Sequence, residues 1–281
     1  QNQAAYDALV KYLKRFPDGY FAADANFQTA ESARMSGQMA NALPYYRNVV
    51  RQPVGSNTVS AYKWLLRDAE QRTDGNETKR YAERLLALAE DASLRSEANR
   101  AMMRAHFAEG AEDVALTYAE GIVADVRQSP EDRSEAFAVR LRVLESKSRA
   151  QPADSLRLGL WQQAAEDAVA EAAVGIQAEA MYAKASILRI RGQYAASSEA
   201  VFALLDNYPG QQEWRFKALL VLARNYASLN DGFQARYTLD FVIAEHPSDE
   251  LVREAQALLA EFNAAQLESN APQTTTEDDA E

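Results

Sequence analysis

Apolar and polar residues follow one another along almost the whole chain with the period of an α-helix. Small or apolar residues recur three and four positions apart, and no stretch alternates strictly enough to predict a half-buried strand. Helix-stopping residues interrupt this pattern at similar intervals, at Pro17, Pro53, Glu90–Asp91, Gln128–Pro130, Pro209 and Pro247. Glycines mark a second set of breaks between them, at Gly37, Gly75, Gly110, Gly192 and Gly232. Each interval is therefore predicted to hold two helices of roughly 12–17 residues joined by a tight turn, with the glycine in that turn.

The segment that begins at Ala178 shows the pattern most clearly. Counting Ala178 as position 1, small or apolar residues occupy positions 4, 8, 11, 15, 17, 24, 27 and 32, which are Met181, Ala185, Leu188, Gly192, Tyr194, Val201, Leu204 and Pro209. Five further windows fit the same positions, and they begin at Ala23, Val59, Ser96, Ser134 and Phe216. The Ser134 window departs after its first helix, because the insertion Ser146–Ser155 delays the second helix to about Leu156–Ala173.

This spacing resembles the tetratricopeptide repeat, a helical hairpin of about 34 residues, over about Ala4 to Phe262. Ser197 departs mildly from it, since the family most often has alanine at position 20. The resemblance implies an all-α, right-handed α-solenoid, an α–α superhelix of tandem helical hairpins. It also implies small residues at positions 8 and 20, where paired helices approach closely, and larger residues at positions 4, 11, 24 and 27 between them.

The same positions predict how the chain is divided. Residues 1–17 match the second helix of a truncated repeat, residues 18–247 six helix pairs, residues 248–266 a capping helix, and residues 267–281 a disordered acidic tail. Because the array begins on half a repeat, we expect the chain to be the C-terminal part of a longer one. Pro44 is expected near the start of its helix, where a missing N–H costs little.

Composition narrows the classes of function. A formal net charge of −11 disfavours binding to nucleic acid or to an anionic membrane, and no apolar run is long enough to span a bilayer. The chain lacks cysteine and lacks the nucleotide-binding, nucleophile-elbow and zinc-protease motifs. Of its two histidines, His106 is interpreted as a packed side chain and His246 as a residue at a helix end. We therefore predict no catalysis, no metal and no cofactor.

A candidate binding wall follows from the resemblance. The family binds peptides on the concave wall formed by positions 2, 5, 9 and 12 of the first helices, and here those positions place basic residues in three consecutive units. The candidate groove residues are Lys63, Arg67, Arg100, Arg104, Arg142, Tyr182, Ser186, Arg189 and Arg224. Two interpretations stand: the arginines bind an acidic peptide, or they form structural ion pairs with acids at positions 2 and 12. Trp64, Trp161 and Trp214 are interpreted as packing residues rather than ligand platforms.

The resemblance implies a non-enzymatic scaffold that binds another protein or peptide within a larger complex. Segments such as DNYP, AEHP and ALPYYRNVV resemble cell-envelope repeat proteins, including the Tol–Pal-associated division coordinator, the lipoprotein arm of the outer-membrane barrel assembly machine and the long repeat proteins of Bacteroidetes. This implies a periplasmic or outer-membrane-associated location, with a cytoplasmic one left open. The alternative is a recruiting or regulatory segment of a larger enzyme or secretion machine.

Overall fold

The computed structural model describes residues 2–245 and 249–269, and this part of the chain is built from helices without a strand. The helices are α1 (Asn2–Arg15), α2 (Ala22–Met35), α3 (Met39–Arg51), α4 (Thr58–Gln71), α5 (Gly75–Leu88), α6 (Ala92–Ala108), α7 (Glu112–Ala124), α8 (Pro130–Ala150), α9 (Ser155–Glu171), α10 (Val174–Ile190), α11 (Tyr194–Asn207), α12 (Gln212–Ser228), α13 (Gly232–Glu245) and α14 (Asp249–Ser269). The predicted all-α class is confirmed, and the helices follow one another as hairpins.

The chain forms two compact units, Gln1–Val139 and Arg140–Glu281. Within the first unit α1 to α7 each pack on the helix before and after them in sequence. Within the second unit α9 to α14 do the same, and α12 also contacts α10 and α14. In both units a first helix is thus packed between two second helices, which is the local rule of a hairpin-repeat solenoid.

Five hairpins close through the same turn, a Schellman motif. At repeat position 15 the backbone is left-handed, with φ of 75° at Gly37, 75° at Gly110 and 74° at Gly192. The next residue donates its N–H to the carbonyl five residues earlier, for example from Gln193 to Leu188 at 2.9 Å. These bonds satisfy carbonyls that the helix end would leave unpaired.

The prediction that a glycine lies in each turn is wrong for two of these five hairpins. Gly75 and Gly232 are the first residues of α5 and α13 rather than turn residues. The left-handed residues are Thr73, with φ of 54°, and Asn230, with φ of 63°. The turn therefore has the same geometry in all five hairpins. The left-handed residue lies at repeat position 15 in each of them, whether or not that residue is a glycine.

The core follows the repeat positions. At position 8 every side chain is at most 1% exposed, although three of the six are large: Ala30, Leu66, Met103, Leu141, Ala185 and Ala223. Positions 20, 24 and 27 of the regular second helices are also buried, as in Ala235, Leu239 and Val242. Positions 4 and 11 are less uniform, because Tyr62 and His106 are only partly buried.

Ser197, the departure at position 20, is fully buried and has hydrogen-bond partners. Its hydroxyl donates to the carbonyl of Ala185 at 2.7 Å and accepts from the amide of Asn225 at 2.8 Å. A buried hydroxyl without such partners would cost stability. Here it links α11 to the first helices α10 and α12 in the core.

Two further expectations differ from the structure. Pro44 is the sixth residue of α3 and lies inside the helix, so its missing N–H removes one helical hydrogen bond. The last helix, predicted to end at residue 266, extends to Ser269, and the N-terminal helix ends at Arg15. Residues 270–281 of the predicted acidic tail, as well as His246, Pro247 and Ser248, lie outside the described residues.

Replacing Thr73 with glycine is expected to stabilise the protein by about 1 kcal/mol, because a β-branched residue is strained in the left-handed region. Gly110→Ala is the matched control at the same turn position. No atom lies within 4 Å of a Cβ added there, so backbone strain alone should destabilise it by about 1 kcal/mol. Urea unfolding of both variants measures the two changes. An unstable Thr73→Gly variant would contradict the assigned turn.

Candidate partner-binding site

In the first unit the candidate arginines pair with glutamates of the neighbouring first helix. Arg67 donates from Nε and Nη2 to Glu97 at 2.5 and 2.9 Å. Arg104 donates from Nε and Nη2 to Glu135 at 2.6 Å each, and from Nη1 to Glu70 at 3.2 Å. Each bidentate pair runs from position 9 of one first helix to position 2 of the next. The ion-pair interpretation therefore describes these two residues.

The same connection recurs in the second unit. Arg142 donates to Glu179 at 2.8 and 3.0 Å, and Arg224 pairs with Glu254 of α14 at 2.9 Å. Glu179 differs from the other glutamates because only 3% of its side chain is exposed. Burial raises the pKa of Glu179, while Arg142 opposes that change. We call these four contacts, three from position 9 to position 2 of the next first helix and one from position 9 to Glu254 of α14, the arginine ladder.

Trp64 carries a group of cations in the first unit. The guanidinium carbons of Arg34 and Arg67 lie 4.3 and 5.1 Å from the centre of its ring, and Nζ of Lys63 lies 5.3 Å away. Trp161, by contrast, is fully buried. The packing interpretation holds for Trp161, whereas half-buried Trp64 also presents a ring face that holds cations.

Arg67 and Arg100 line a cavity of about 610 Å³ in the first unit, together with Arg127. Three acids line the same cavity: Glu97, Asp125 and Asp132. Each arginine is paired with one of them, Arg67 with Glu97, Arg100 with Asp132, and Arg127 with Asp125. Because its charges are already neutralised in pairs, this cavity has no excess of cations for an acidic ligand.

The second unit contains a cavity of about 550 Å³ that brings together four of the nine candidate residues. It is lined by Glu145, Arg149, Pro152, Tyr182, Ser186, Arg189, Ile190, Tyr194, Val221, Arg224 and Glu254. Lys63, Arg104 and Arg142 line neither this cavity nor the one in the first unit. We call this space, between α8, α10, α12 and α14, the basic cavity.

The basic cavity lies where the arginine ladder is interrupted. Position 9 of α10 is Ser186 instead of arginine, and position 2 of α12 is Lys217 instead of an acid. Without that pair, the space between the two first helices is occupied by Arg189 at position 12. The interruption therefore replaces a neutral ion pair with an additional positive charge.

Arg189 has no carboxylate partner among the described residues. Its Nη1 donates to the side-chain oxygens of Asn225 at 3.3 Å and Ser228 at 3.2 Å, and its guanidinium lies 5.6 Å from the centre of the Tyr194 ring. Burial, together with repulsion from Arg224, lowers the pKa of Arg189. The guanidinium still carries its charge at neutral pH, so an anion in the cavity would relieve an existing electrostatic cost.

Two hydroxyl groups complete the basic cavity. Among the described residues the buried Oγ atom of Ser186 has no partner in hydrogen-bond geometry, although it lies close enough to Tyr182 to lower the pKa of that phenol slightly against the larger effect of burial. The hydroxyl of Tyr182 accepts from Nη2 of Arg149 at 3.0 Å, and burial raises the pKa of Tyr182. Tyr182 therefore stays protonated at neutral pH, and its own O–H remains available to donate.

Sequence reasoning missed two charged residues of this cavity, Arg149 and Glu254. Arg149 lies in the additional turn that makes α8 longer than the other first helices, within the insertion and outside the repeat positions. Glu254 lies in the predicted capping helix, yet it pairs with Arg224 as a position-2 acid would. Treating α14 as the first helix of one more unit is the signal that could have found Glu254.

The described residues hold no other candidate chemistry. Among them no group of three His, Asp or Glu side chains is arranged to hold a metal ion. His106 is half-buried and its ring stacks on Tyr118, with the ring centres 6.0 Å apart. None of the helices within the described ranges combines the length and apolarity that a membrane crossing requires.

Comparison with solved structures identifies the class of fold. Tom70 from yeast aligns over 96% of this chain and 60% of its own, at 10% identity and a TM-score of 0.50. A tetratricopeptide repeat protein from Parabacteroides merdae aligns over 92% of both chains at 10% identity, with a TM-score of 0.42. YrrB, described as a TPR protein with an unusual peptide-binding site, aligns over 90% of this chain and 99% of its own at 14% identity, with a TM-score of 0.36.

The hairpins of the described helices and the alignment with Tom70 confirm the all-α solenoid that the repeat positions predicted, and the chain is similar to tetratricopeptide-repeat proteins. At these identities the likeness concerns the fold and carries no activity across. No family model matches the sequence, and no curated protein matches it. The candidate site is therefore argued from its own geometry.

Arg142→Ala is expected to destabilise the protein by about 3 kcal/mol at pH 7, because it leaves the buried Glu179 carboxylate without its partner. The matched substitution Arg104→Ala should cost under about 1 kcal/mol, since Glu135 is more exposed. Urea unfolding of both variants measures the difference.

The unfolding free energy lost in the Arg142→Ala variant should also depend on pH. Without Arg142 the folded-state pKa of Glu179 rises further above its unfolded value. The loss of unfolding free energy therefore grows as the pH rises from the unfolded-state pKa to the folded-state pKa. Near pH 4, where Glu179 is protonated, the loss should be small. An equal loss at pH 4 and pH 7 would show that ionisation of Glu179 is not the cause.

Proposed function

We propose that the chain is a non-enzymatic protein-interaction scaffold whose basic cavity binds a carboxylate of an acidic segment in a partner. One observation carries the proposal: in the described part of the chain Arg189 is a partly buried cation without a carboxylate partner, close to a second arginine. Along the ladder the position-9 arginines are neutralised by glutamates, whereas Arg189 lies at position 12 of the helix whose position 9 is Ser186. The cavity is the place where a carboxylate from outside would complete the pattern.

The donors around Arg189 suit a carboxylate. A guanidinium offers two parallel N–H groups that match the two oxygens of a carboxylate. Ser186 adds a buried hydroxyl that lacks a partner in hydrogen-bond geometry among the described residues, and Tyr182 adds a protonated phenol. Binding would satisfy Ser186 and offset the repulsion between Arg189 and Arg224.

The acids of the cavity restrict what it accepts. Glu145 is paired with Arg149 at 2.8 Å, and Glu254 is paired with Arg224 at 2.9 Å. These pairs neutralise two of the three arginines, so the excess positive charge is centred on Arg189. A single carboxylate, rather than a run of many, is the ligand that this balance favours.

We extend the proposal to the cell: the scaffold assists assembly of a cell-envelope complex, at the periplasmic face or the outer membrane. The resemblance of its repeat endings to envelope repeat proteins supports this. The alternative is a recruiting or regulatory segment of a larger enzyme or secretion machine. Purification of the full-length protein from its own cells, with its partners identified by mass, distinguishes the two.

Arg189→Gln is expected to weaken binding of an acidic peptide at least about tenfold, because it removes a charge-assisted bidentate contact. Glutamine keeps a donor for Asn225 and Ser228, so the melting temperature should not fall. The probe is a fluorescein-labelled hexapeptide of alternating glutamate and glycine, measured by fluorescence anisotropy. A peptide with glutamine in place of glutamate tests the requirement for the carboxylate, and both peptides are amidated at the C-terminus so that no terminal carboxylate remains.

Arg191→Gln is the matched control. Arg191 directly follows the same helix and is exposed. Its Nη1 donates to Oε1 of Gln162 at 2.6 Å, and it does not line the basic cavity. It should leave peptide affinity unchanged. Equal affinity of Arg189→Gln and the unsubstituted protein, or equal binding of the two peptides, would refute the proposed site.

A further inference from the structure

The outer face of α13 carries a row of exposed aromatic side chains. Phe233, Tyr237 and Phe241 are 76%, 65% and 46% exposed. They are spaced four residues apart, so they lie along one face of the helix, about 12 Å from first to last at 1.5 Å per residue. Exposed aromatic residues in a continuous row mark an interaction surface more often than isolated ones do. We call these three residues the aromatic row.

The repeat does not need aromatic residues at these positions. The row occupies positions 18, 22 and 26 of its unit. In α3, α5, α7 and α11 none of the residues at these three positions is aromatic. They are Ala40, Asn76, Asp113 and Ala195 at position 18, Pro44, Arg80, Thr117 and Glu199 at position 22, and Asn48, Arg84, Gly121 and Ala203 at position 26. The core of α13 is supplied instead by Ala235, Thr238, Leu239 and Val242. Packing of the hairpin therefore does not explain Phe233 and Tyr237.

One end of the row opens into a mostly apolar cavity. Phe241 stacks on Phe216, with ring centres 6.2 Å apart and planes 17° apart. The two rings line a cavity of about 400 Å³ together with Leu205 and Leu219, and Gln212, Arg215 and Glu245 complete its lining. A row that leads into a socket can hold a projecting apolar side chain, as recognition grooves for helices do.

The charges around the row select the occupant. On α13 the sequence places Asp231, Asp240 and Glu245 next to the row against one basic residue, Arg236, and a second, Arg215, lines the cavity, so acids outnumber basic residues by three to two. In a chain of net charge −11, a second copy of this face would bring acids against acids, and an anionic membrane would be repelled. Charge complementarity therefore favours a partner whose apolar residues are flanked by lysine or arginine.

From this placement we infer that α13 docks an amphipathic helix of a partner, with apolar residues against the aromatic row and basic residues toward its acidic border. This surface belongs to a second helix of the repeat and is separate from the basic cavity, which the first helices build. The aromatic row also favours a basic partner segment, whereas the basic cavity favours an acidic one. The chain would then hold two different partner segments, one acidic and one basic and apolar.

The test uses three labelled helical peptides of 18 residues. The first has leucines on one face and lysines beside them, the second has glutamates in place of the lysines, and the third has the composition of the first with its leucines scattered. We expect the first to bind at least about tenfold more tightly than the others. Phe233→Ser combined with Tyr237→Ser should weaken it at least tenfold.

Val126→Ser combined with Leu156→Ser is the control, since both residues are exposed and apolar but lie on other elements. It should not change the affinity, and neither should Arg189→Gln, which separates this inference from the proposed function. Equal binding of the first and third peptides would overturn the inference. So would self-association in sedimentation experiments that the Phe233 and Tyr237 substitutions abolish, because a second copy would then be the occupant.

Discussion

The structure depends on one backbone conformation, the left-handed residue at repeat position 15. It allows the chain to leave a first helix through two specific hydrogen bonds and to begin the second helix at once. Because the turn is the same in five hairpins, buried positions 8, 20 and 24 meet in the same way in each. The outward positions of the first helices then recur in register, and the candidate binding residues lie there.

The arginine ladder follows from that register. Arginine at position 9 reaches the acid at position 2 of the next first helix in three contacts and Glu254 of α14 in a fourth, and all four neutralise their charges. Ser186 and Lys217 break the rule between α10 and α12. The basic cavity forms at that break, where Arg189 is held by Asn225 and Ser228 rather than by a carboxylate. A local exception to a structural rule thus creates the candidate site.

Sequence reasoning predicted the helices and the fold class because both depend on local periodicity and turn chemistry. It could not identify Thr73 and Asn230 as turn residues, since the glycines two residues later offered a stronger signal. It placed Tyr182, Ser186, Arg189 and Arg224 on one wall, but whether an arginine is paired depends on side chains about thirty residues away. The aromatic row was missed because the repeat positions that define the core say nothing about the outer face.

The central claim is that Arg189 is the cation left for an external carboxylate. Side-chain Nε–H resonances of the arginines, followed by NMR while the glutamate–glycine hexapeptide is added, test it most directly. The account predicts that the resonance of Arg189 shifts in proportion to occupancy, accompanied by smaller shifts of Arg149 and Arg224, while Arg67, Arg100 and Arg127 stay unchanged. Shifts centred on Arg67 and Arg100, or uniform shifts of all the arginines, would contradict it.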